Sequence, residues 1–337
     1  MDWFERLTGF RETSYGATQA RMFVEGETLV SRVNGQRHRA GRLELLSLRV
    51  LRERVVGTGV PAGRMKVRNL TGNVRALHQV PEFAGGLFQV ASQFNLLEMM
   101  SPGITPEHGV TLYQHDGTQG PACAMAAGAA TIYRNYFVPL DGGMGQTSQR
   151  QINALAGLGQ ALSQALAWPV HKLWTLQNGY ALCTDEGLAA IGHYLAGCDE
   201  RQLDALRGHL CIGLHWDVEV TDAEGPARPV VSQAFCSALP VRYSGIEAAA
   251  WQPFAQLVLG AAYEATLLAA CVNATRGASN VVLLTRLGGG AFGNDDAWID
   301  GAMERSLARM AGAGLDVRLV SYRQPSASML AFERCWG

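Results

Sequence analysis

Apolar and polar positions divide the chain into alternating strand-like and helix-like segments. Met65-Lys66-Val67-Arg68-Asn69-Leu70 alternates, the period of a strand with one covered face. Gly86-Leu87-Phe88-Gln89-Val90-Ala91-Ser92 carries no charge and predicts a strand buried on both faces. Residues 210–220 and 229–241 predict two more strands around an Asp222-Ala223-Glu224-Gly225 turn, and residues 280–284 and 317–322 a further pair. Helical spacing falls between them. Residues 121–136 are rich in small side chains (Ala124, Ala127, Gly128) that let a helix lie close to a sheet. Pro121 suits its first turn, where the missing N–H is not needed. Residues 149–167 predict one helix, and residues 184–195 and 200–210 two more, with Thr184 and Asp185 as caps. Asn178-Gly179 lies between two apolar runs and predicts a tight hairpin. A long apolar helix is expected over residues 246–274, and another over 295–311 with Ile299, Met303, Leu307 and Met310 on one face. Residues 42–52 set apolar groups at near-helical spacing between arginines and predict a surface helix, ended by the Gly57–Gly63 stretch. Strands and helices in this order predict a three-layer α/β domain, with residues 1–60 as an N-terminal extension packed on it.

Composition narrows the function classes. The 337 residues are 48% hydrophobic and 17% charged, which suits a soluble globular protein and excludes a disordered chain. Lys and Arg number 28 against 29 Asp and Glu, so no global field draws the protein to nucleic acid or to an anionic membrane. The opening Met1-Asp2-Trp3-Phe4-Glu5-Arg6-Leu7 carries acids and lacks the apolar core of a signal peptide. The seven cysteines are scattered and form no C-x-x-C pair. They are expected to be reduced thiols in a cytoplasmic setting, and no Cys/His spacing suggests a metal. Neither a metal nor another cofactor is expected.

Two loops could hold a ligand. Leu287-Gly288-Gly289-Gly290-Ala291-Phe292-Gly293-Asn294 follows a buried-type strand and precedes a helix. Backbone N–H groups in such a loop can approach a diphosphate, with a helix N-terminus behind them. It is neither a Walker loop nor a G-x-G-x-x-G fingerprint, and an ordinary strand-to-helix turn has the same look. Asp116-Gly117-Thr118-Gln119-Gly120-Pro121-Ala122-Cys123 enters a second helix. Two such loops at the C-terminal ends of one sheet would face a common crevice. Asp116 and Glu107 would repel a phosphate there, unless they orient a ribose hydroxyl, activate water or bind a cation. Their plain alternatives are a turn cap for Asp116 and a solvated side chain for Glu107. Cys123, His108 and His115 are weaker candidates, and Trp174 and Trp251 suit core packing.

With both loops placed, the order of elements resembles that of macrodomains. Lys66-Val67-Arg68-Asn69-Leu70-Thr71-Gly72-Asn73-Val74 resembles their opening strand and Gly-Asp-Ile turn. Phe88-Gln89-Val90-Ala91-Ser92-Gln93-Phe94-Asn95 resembles the strand ending in Asn-Ala-Ala-Asn, and Phe235-Cys236-Ser237-Ala238-Leu239-Pro240 the inner strand ending near Gly-Pro. Residues 281–294 resemble the strand and loop that grip the diphosphate. Ser101-Pro102-Gly103-Ile104-Thr105-Pro106-Glu107 and Thr118-Gln119-Gly120-Pro121-Ala122-Cys123 are most similar to the MavL type, the ADP-ribosyl-ubiquitin hydrolases first met among bacterial effectors.

The resemblance implies an α/β/α macrodomain-like mixed sheet over residues 61–337, with residues 141–209 as a mainly helical insertion. It implies an ADP-ribose pocket. Asn73 would lie near the adenine, where many members have Asp, and Asn95 near the distal ribose. Thr118, Gln119 and Gly120 would face the ribose and diphosphate. Gly289, Gly290, Ala291, Phe292, Gly293 and Asn294 would hold the diphosphate, with Phe292 covering it. The Gly-Gly-Gly-x-Gln-Glu-Glu type motif of poly(ADP-ribose) glycohydrolases is missing from the sequence. Asp116, then Glu107, are therefore the expected catalytic carboxylates. The expected activity is hydrolysis of the bond between ADP-ribose and a protein side chain, arginine first, with ubiquitin as one carrier and the insertion and extension recognising it. A module that reads ADP-ribose without cleaving it is the alternative, and a thiol enzyme using Cys123 a more distant one. A cytoplasmic location is compatible with export into a host cell.

Overall fold

The computed structural model describes residues 1–225 and 227–337. One mixed sheet organises the chain. Its strands are β1 Arg42–Ser47, β2 Lys66–Thr71, β3 Leu87–Ala91, β4 Cys211–Glu219, β5 Val230–Cys236, β6 Val281–Leu284 and β7 Asp316–Ser321. They lie in the spatial order β1-β4-β5-β3-β6-β7-β2. From β5 through β3, β6 and β7 to β2 all pairings are parallel. Only β4 runs against its neighbours. The uncharged strands β5, β3 and β6 are the innermost, as strands covered on both faces require.

Alternate side chains show what covers each face. From β3, Gln89 reaches Thr266 on one side, while Phe88 stacks on His78 on the other. From β5, Ser232 meets Asn273 and Gln233 donates to the Cys123 carbonyl on the opposite side. One face therefore carries helix α7 (Ala248–Thr275), and the other carries α2 (Gln119–Ala126) and α3 (Gly128–Tyr136). This is the expected three-layer α/β/α arrangement. By length and composition alone α7 could cross a membrane, but 94% of its apolar window is buried inside the protein. Its Glu264 is held by Arg52 at 2.7 Å and Arg305 at 3.0 Å.

Several local expectations are corrected. Residues 42–47 form the edge strand β1, not a helix; helix α1 (Leu48–Thr58) starts only where the Ser47 hydroxyl caps the Val50 N–H. The run 121–136 is two helices, broken at Ala127 so that Gly128 lies against the Trp3 ring. Only α4 (Ala156–Leu166) survives of the helix expected over 149–167. The preceding segment is pinned as a loop, with Gln146 accepting from the Ile152 N–H and donating to the carbonyls of Asn95 and Arg134. Helices α5 (Asp185–Ala196) and α6 (Glu200–Arg207) follow. The Asn178-Gly179 turn joins Trp174–Gln177 to Tyr180–Cys183 with both central residues at positive φ, as its sequence predicts. Helix α8 (Asp296–Arg309) buries Ile299, Met303, Leu307 and, at its end, Met310. Two features were not anticipated. A small sheet of Met22–Glu25, Thr28–Ser31 and Arg37–Arg39 forms in the N-terminal part. Helix α9 (Ala327–Trp336) covers the edge strand β2, where Asn69 donates to the Met329 carbonyl and to Glu333.

Candidate functional site

The C-terminal ends of β3, β5, β6, β7 and β2 leave a crevice, the place where open parallel sheets bind ligands. Two helix-entry segments and one folded loop build it.

The loop after β3 is fixed by its own side chains. Gln93 accepts from the Met99 N–H at 2.7 Å, and Asn95 accepts from the Leu97 N–H at 3.1 Å. Leu96 is held at positive φ while its carbonyl accepts from Arg134 at 3.0 Å. The loop thus turns back and sets Glu98 beneath the crevice.

The first turn of α2 is clamped to the same strand. Gln119 accepts from the Ala91 N–H and donates to the Gln89 carbonyl, both at 2.8 Å, in the manner of a neighbouring strand. A Cβ on Gly120 would collide with the Ala91 carbonyl, so glycine there serves close approach. The Thr118 side chain does not cap the helix, which leaves first-turn N–H groups for the crevice. Just before it, Asp116 accepts from the Thr118 N–H at 2.9 Å.

The loop after β6 is anchored at both ends. Tyr263 donates to the Thr285 carbonyl and accepts from the Leu287 N–H, at 2.7 and 2.9 Å. Buried Asn294 donates to the Leu239 carbonyl at 2.8 Å. Between these anchors Gly290, Ala291 and Phe292 rim the crevice. Phe292 packs with Tyr180 and Tyr243 at centroid distances of 5.3 and 5.6 Å. Tyr180, supplied by the Asn178-Gly179 hairpin, donates to the Met99 carbonyl at 2.6 Å.

The crevice has two connected compartments. The first encloses about 170 Å³ between Ser92, Glu98, Gly120, Tyr180 and Gly290–Phe292. The second encloses about 480 Å³ and is bounded by Asn73, Arg75, Met125, Val320 and Tyr322. Asp116, Thr118, Gln119, Thr285 and Arg286 border both. Arg286 is tied to Asp300 and, at 2.7 Å, to Asp296.

Asp116, Thr118, Gln119, Gly120, Gly290, Ala291 and Phe292 thus converge on the first compartment, and Asn73 stands at the second. The other expected residues do not reach either. Glu107 is drawn away by Ser148, whose N–H and hydroxyl it accepts at 2.8 and 3.0 Å. Burial there would raise its carboxyl, but the Ser148 and Thr105 bonds outweigh this and hold it below its ordinary value. Asn95 is buried, bonded to Gln151 and to its own loop. Gly289, Gly293 and Asn294 lie on the far side of their loop, beside Arg242 and the start of α8. That helix start is capped by Asp295 and carries Asp296, so it offers no anion site to the crevice. Cys123 is buried, and its thiol is pushed well up by burial and by nearby Glu98, which removes it as a nucleophile. His108 bonds within its own turn to Thr105, and His115 to Gln114.

Glu98, outside the expected set, also stands at the first compartment. It is a lone acid in the apolar run Phe94-Asn95-Leu96-Leu97-Glu98-Met99-Met100, and that isolation was the available signal. The side chain is fully buried yet borders the first compartment. Oε1 lies 3.4 Å from the equally buried Arg134, and Oε2 has no partner among the described residues. Burial pushes this carboxyl up to about 7, against the opposing charge of Arg134.

No protein-family model matches the chain. Nor does any curated protein. Among solved structures, poly(ADP-ribose) glycohydrolase from Thermomonospora curvata is similar at 15% identity and a TM-score of 0.45, covering 94% of each chain. The enzyme from Deinococcus radiodurans in complex with ADP-ribose is similar at 15% identity and a TM-score of 0.43, covering 87% of this chain and 92% of that one. These likenesses are of overall layout and assign no role to any residue here.

Proposed function

We propose that this protein is an ADP-ribosyl hydrolase. It holds the ADP-ribose of a modified protein along the two-compartment crevice and cleaves the bond from the anomeric ribose carbon to the acceptor side chain. The observation that carries this reading is the place of Asp116, which borders both compartments beside the uncapped first turn of α2. An elongated ligand with an anionic middle fits the shape. Its diphosphate meets helix N–H groups where the compartments join, the adenine lies toward Asn73 and Tyr322, and the distal ribose lies toward Glu98 and Phe292. A carboxylate is unhelpful to a bound diphosphate but stabilises a ribose that becomes oxocarbenium-like as the bond breaks. The resemblance to macrodomains supports the same ligand. The acceptor is arginine on a protein carrier, ubiquitin being the first carrier to test, and the insertion that supplies Tyr180 meets the carrier.

Asp116→Asn tests the reading cleanly. An amide oxygen still accepts the Thr118 N–H, so the turn survives and only the charge is lost. Single-turnover release of ADP-ribose from a modified carrier is expected to fall about 10²-fold or more. Calorimetry should show ADP-ribose affinity within about tenfold of wild type, and far weaker binding of adenosine. Normal turnover by the variant refutes the assignment of Asp116. A wild-type protein that binds ADP-ribose but releases none is a reader.

A further inference from the structure

We infer that Glu98 is the proton donor of this site, a catalytic acid distinct from Asp116. The inference rests on the hydrolase reading above and assigns the leaving-group half of the reaction. The geometry comes first. Glu98 is the one fully buried carboxyl bordering the first compartment among the described residues. A glycine, Gly120, faces it: a Cβ there would come within 3.1 Å of the Glu98 Cγ. Oε1 is directed at Arg134, and Oε2 is buried and left without a hydrogen-bond partner among the described residues. A buried carboxylate oxygen with no donor bears the desolvation cost of a charge, whereas a protonated carboxyl without an acceptor bears the smaller cost of a neutral group.

The titratable groups around it come from several packed elements. Helix α3 supplies the Arg134 guanidinium, which favours the charged form. The turn Thr111–His115 supplies the Tyr113 hydroxyl, which accepts from the Glu98 N–H and, like Arg134, favours the charged carboxyl. Helix α2 supplies the Cys123 thiol, and β4 supplies His215, kept neutral by burial and by Arg134. Only Arg134 is charged in this set, and burial outweighs it. Asp116, half-buried at the crevice mouth, sits in a different environment. Two carboxyls held in contrasting surroundings around one reacting bond divide the acid and base roles.

The step balances. Water oxygen bonds to the anomeric carbon and gives a proton to Asp116. The bond from that carbon to the acceptor breaks, and its electron pair passes to the acceptor atom, which takes the Glu98 proton. A departing arginine leaves as guanidine and becomes guanidinium. Solvent exchange then returns the proton from Asp116 to Glu98.

Leaving-group dependence tests this. Single-turnover rates of wild type and Glu98→Gln are measured on an ADP-ribosylated arginine peptide and on 4-nitrophenyl ADP-ribose, whose leaving group departs without a proton. The variant is expected to lose about 10²-fold or more on the peptide and less than about tenfold on the aryl substrate. Wild-type kcat/KM on the peptide should fall above about pH 7, and the aryl substrate should lack that limb. The pH profiles need no variant, so a misfolded Glu98→Gln does not remove the test. Equal losses on both substrates make Glu98 a positioning residue and overturn the inference, as does an identical pH limb for both. A wild type inactive on both substrates refutes the hydrolase reading itself, and a folded variant active on both refutes the inference alone.

Discussion

At the scale of single residues, the two helix-entry loops use glycine for opposite purposes. Gly120 lies in the packing between α2 and β3, where the Ala91 carbonyl leaves no room for a methyl group. Gly290 has open space: no atom stands within 4 Å of the Cβ it lacks, and its backbone needs no positive φ. A side chain at 290 therefore projects without strain at the rim of the first compartment. Gly290→Glu is expected to fold with a wild-type melting temperature and to bind ADP-ribose at least about 30-fold more weakly, because like charge meets the diphosphate in a partly desolvated place. Gly120→Ala should instead lose stability, by roughly 1–3 kcal/mol. Calorimetry beside thermal melting separates the two, and unchanged affinity in Gly290→Glu would remove the second loop from the site.

At the scale of elements, the Asn178-Gly179 hairpin matters more than the helices around it. Gly179 adopts φ +82°, and a Cβ there would stand 2.6 Å from the Asn95 side-chain oxygen and the Gln93 Cβ. The turn is thus fitted against the loop that carries Glu98, and its next residue, Tyr180, walls the first compartment. Gly179→Ala must push these two elements apart. The melting temperature should fall by a few degrees, in keeping with about 1–3 kcal/mol of strain in a chain of this size. ADP-ribose binding should weaken while adenosine binding, on the other side of the junction, changes less. Loss of both equally would show that the hairpin supports the whole crevice. This turn was legible because Asn-Gly chemistry is local, and β3 and β6 were legible because a strand covered on both faces is free of charge. The edge strand β1 was not. Its leucines satisfy helical and strand spacing alike, and its identity is fixed by pairing with β4, far along the sequence. The loop over 146–152 was lost for a similar reason, since its fold depends on Gln146 reaching Asn95 and Arg134. Of the site, the local part was readable: a Gly-Pro helix entry and a Gly-rich turn. Which side of each loop faces the crevice was not, because Asn294 and Asn95 are claimed by tertiary hydrogen bonds that no short motif encodes.

At the scale of the whole molecule, the N-terminal residues brace the sheet and the site. Glu12 accepts from the N–H groups of Val110 and Thr111 and from the Tyr136 hydroxyl, at 2.9, 2.8 and 2.7 Å, and so steadies the segment that runs on to Asp116. The small N-terminal sheet is joined to β4 through Glu219. That carboxylate accepts from the Arg39 N–H and from Arg228, each at 2.8 Å, and lies 3.0 Å from His38. Burial would raise the Glu219 carboxyl, but the bonds from His38, Arg228 and the Arg39 backbone outweigh burial and hold it at about 2. A carboxyl depressed in the folded state adds stability that is present above its ordinary value near 4.5 and is lost as pH falls through about 2. The side chain is only 16% exposed, so the shift corresponds to about 3 kcal/mol at most. Glu219→Gln keeps the shape and removes the charge that the three donors share. Urea unfolding across pH should therefore show the variant less stable than wild type at pH 7 by roughly 1–3 kcal/mol. The gap should narrow between pH 4.5 and 2 and close below that, as wild-type Glu219 takes up its proton. A gap that persists unchanged in strong acid would mean that the lost stability comes from packing at this junction and not from its charge.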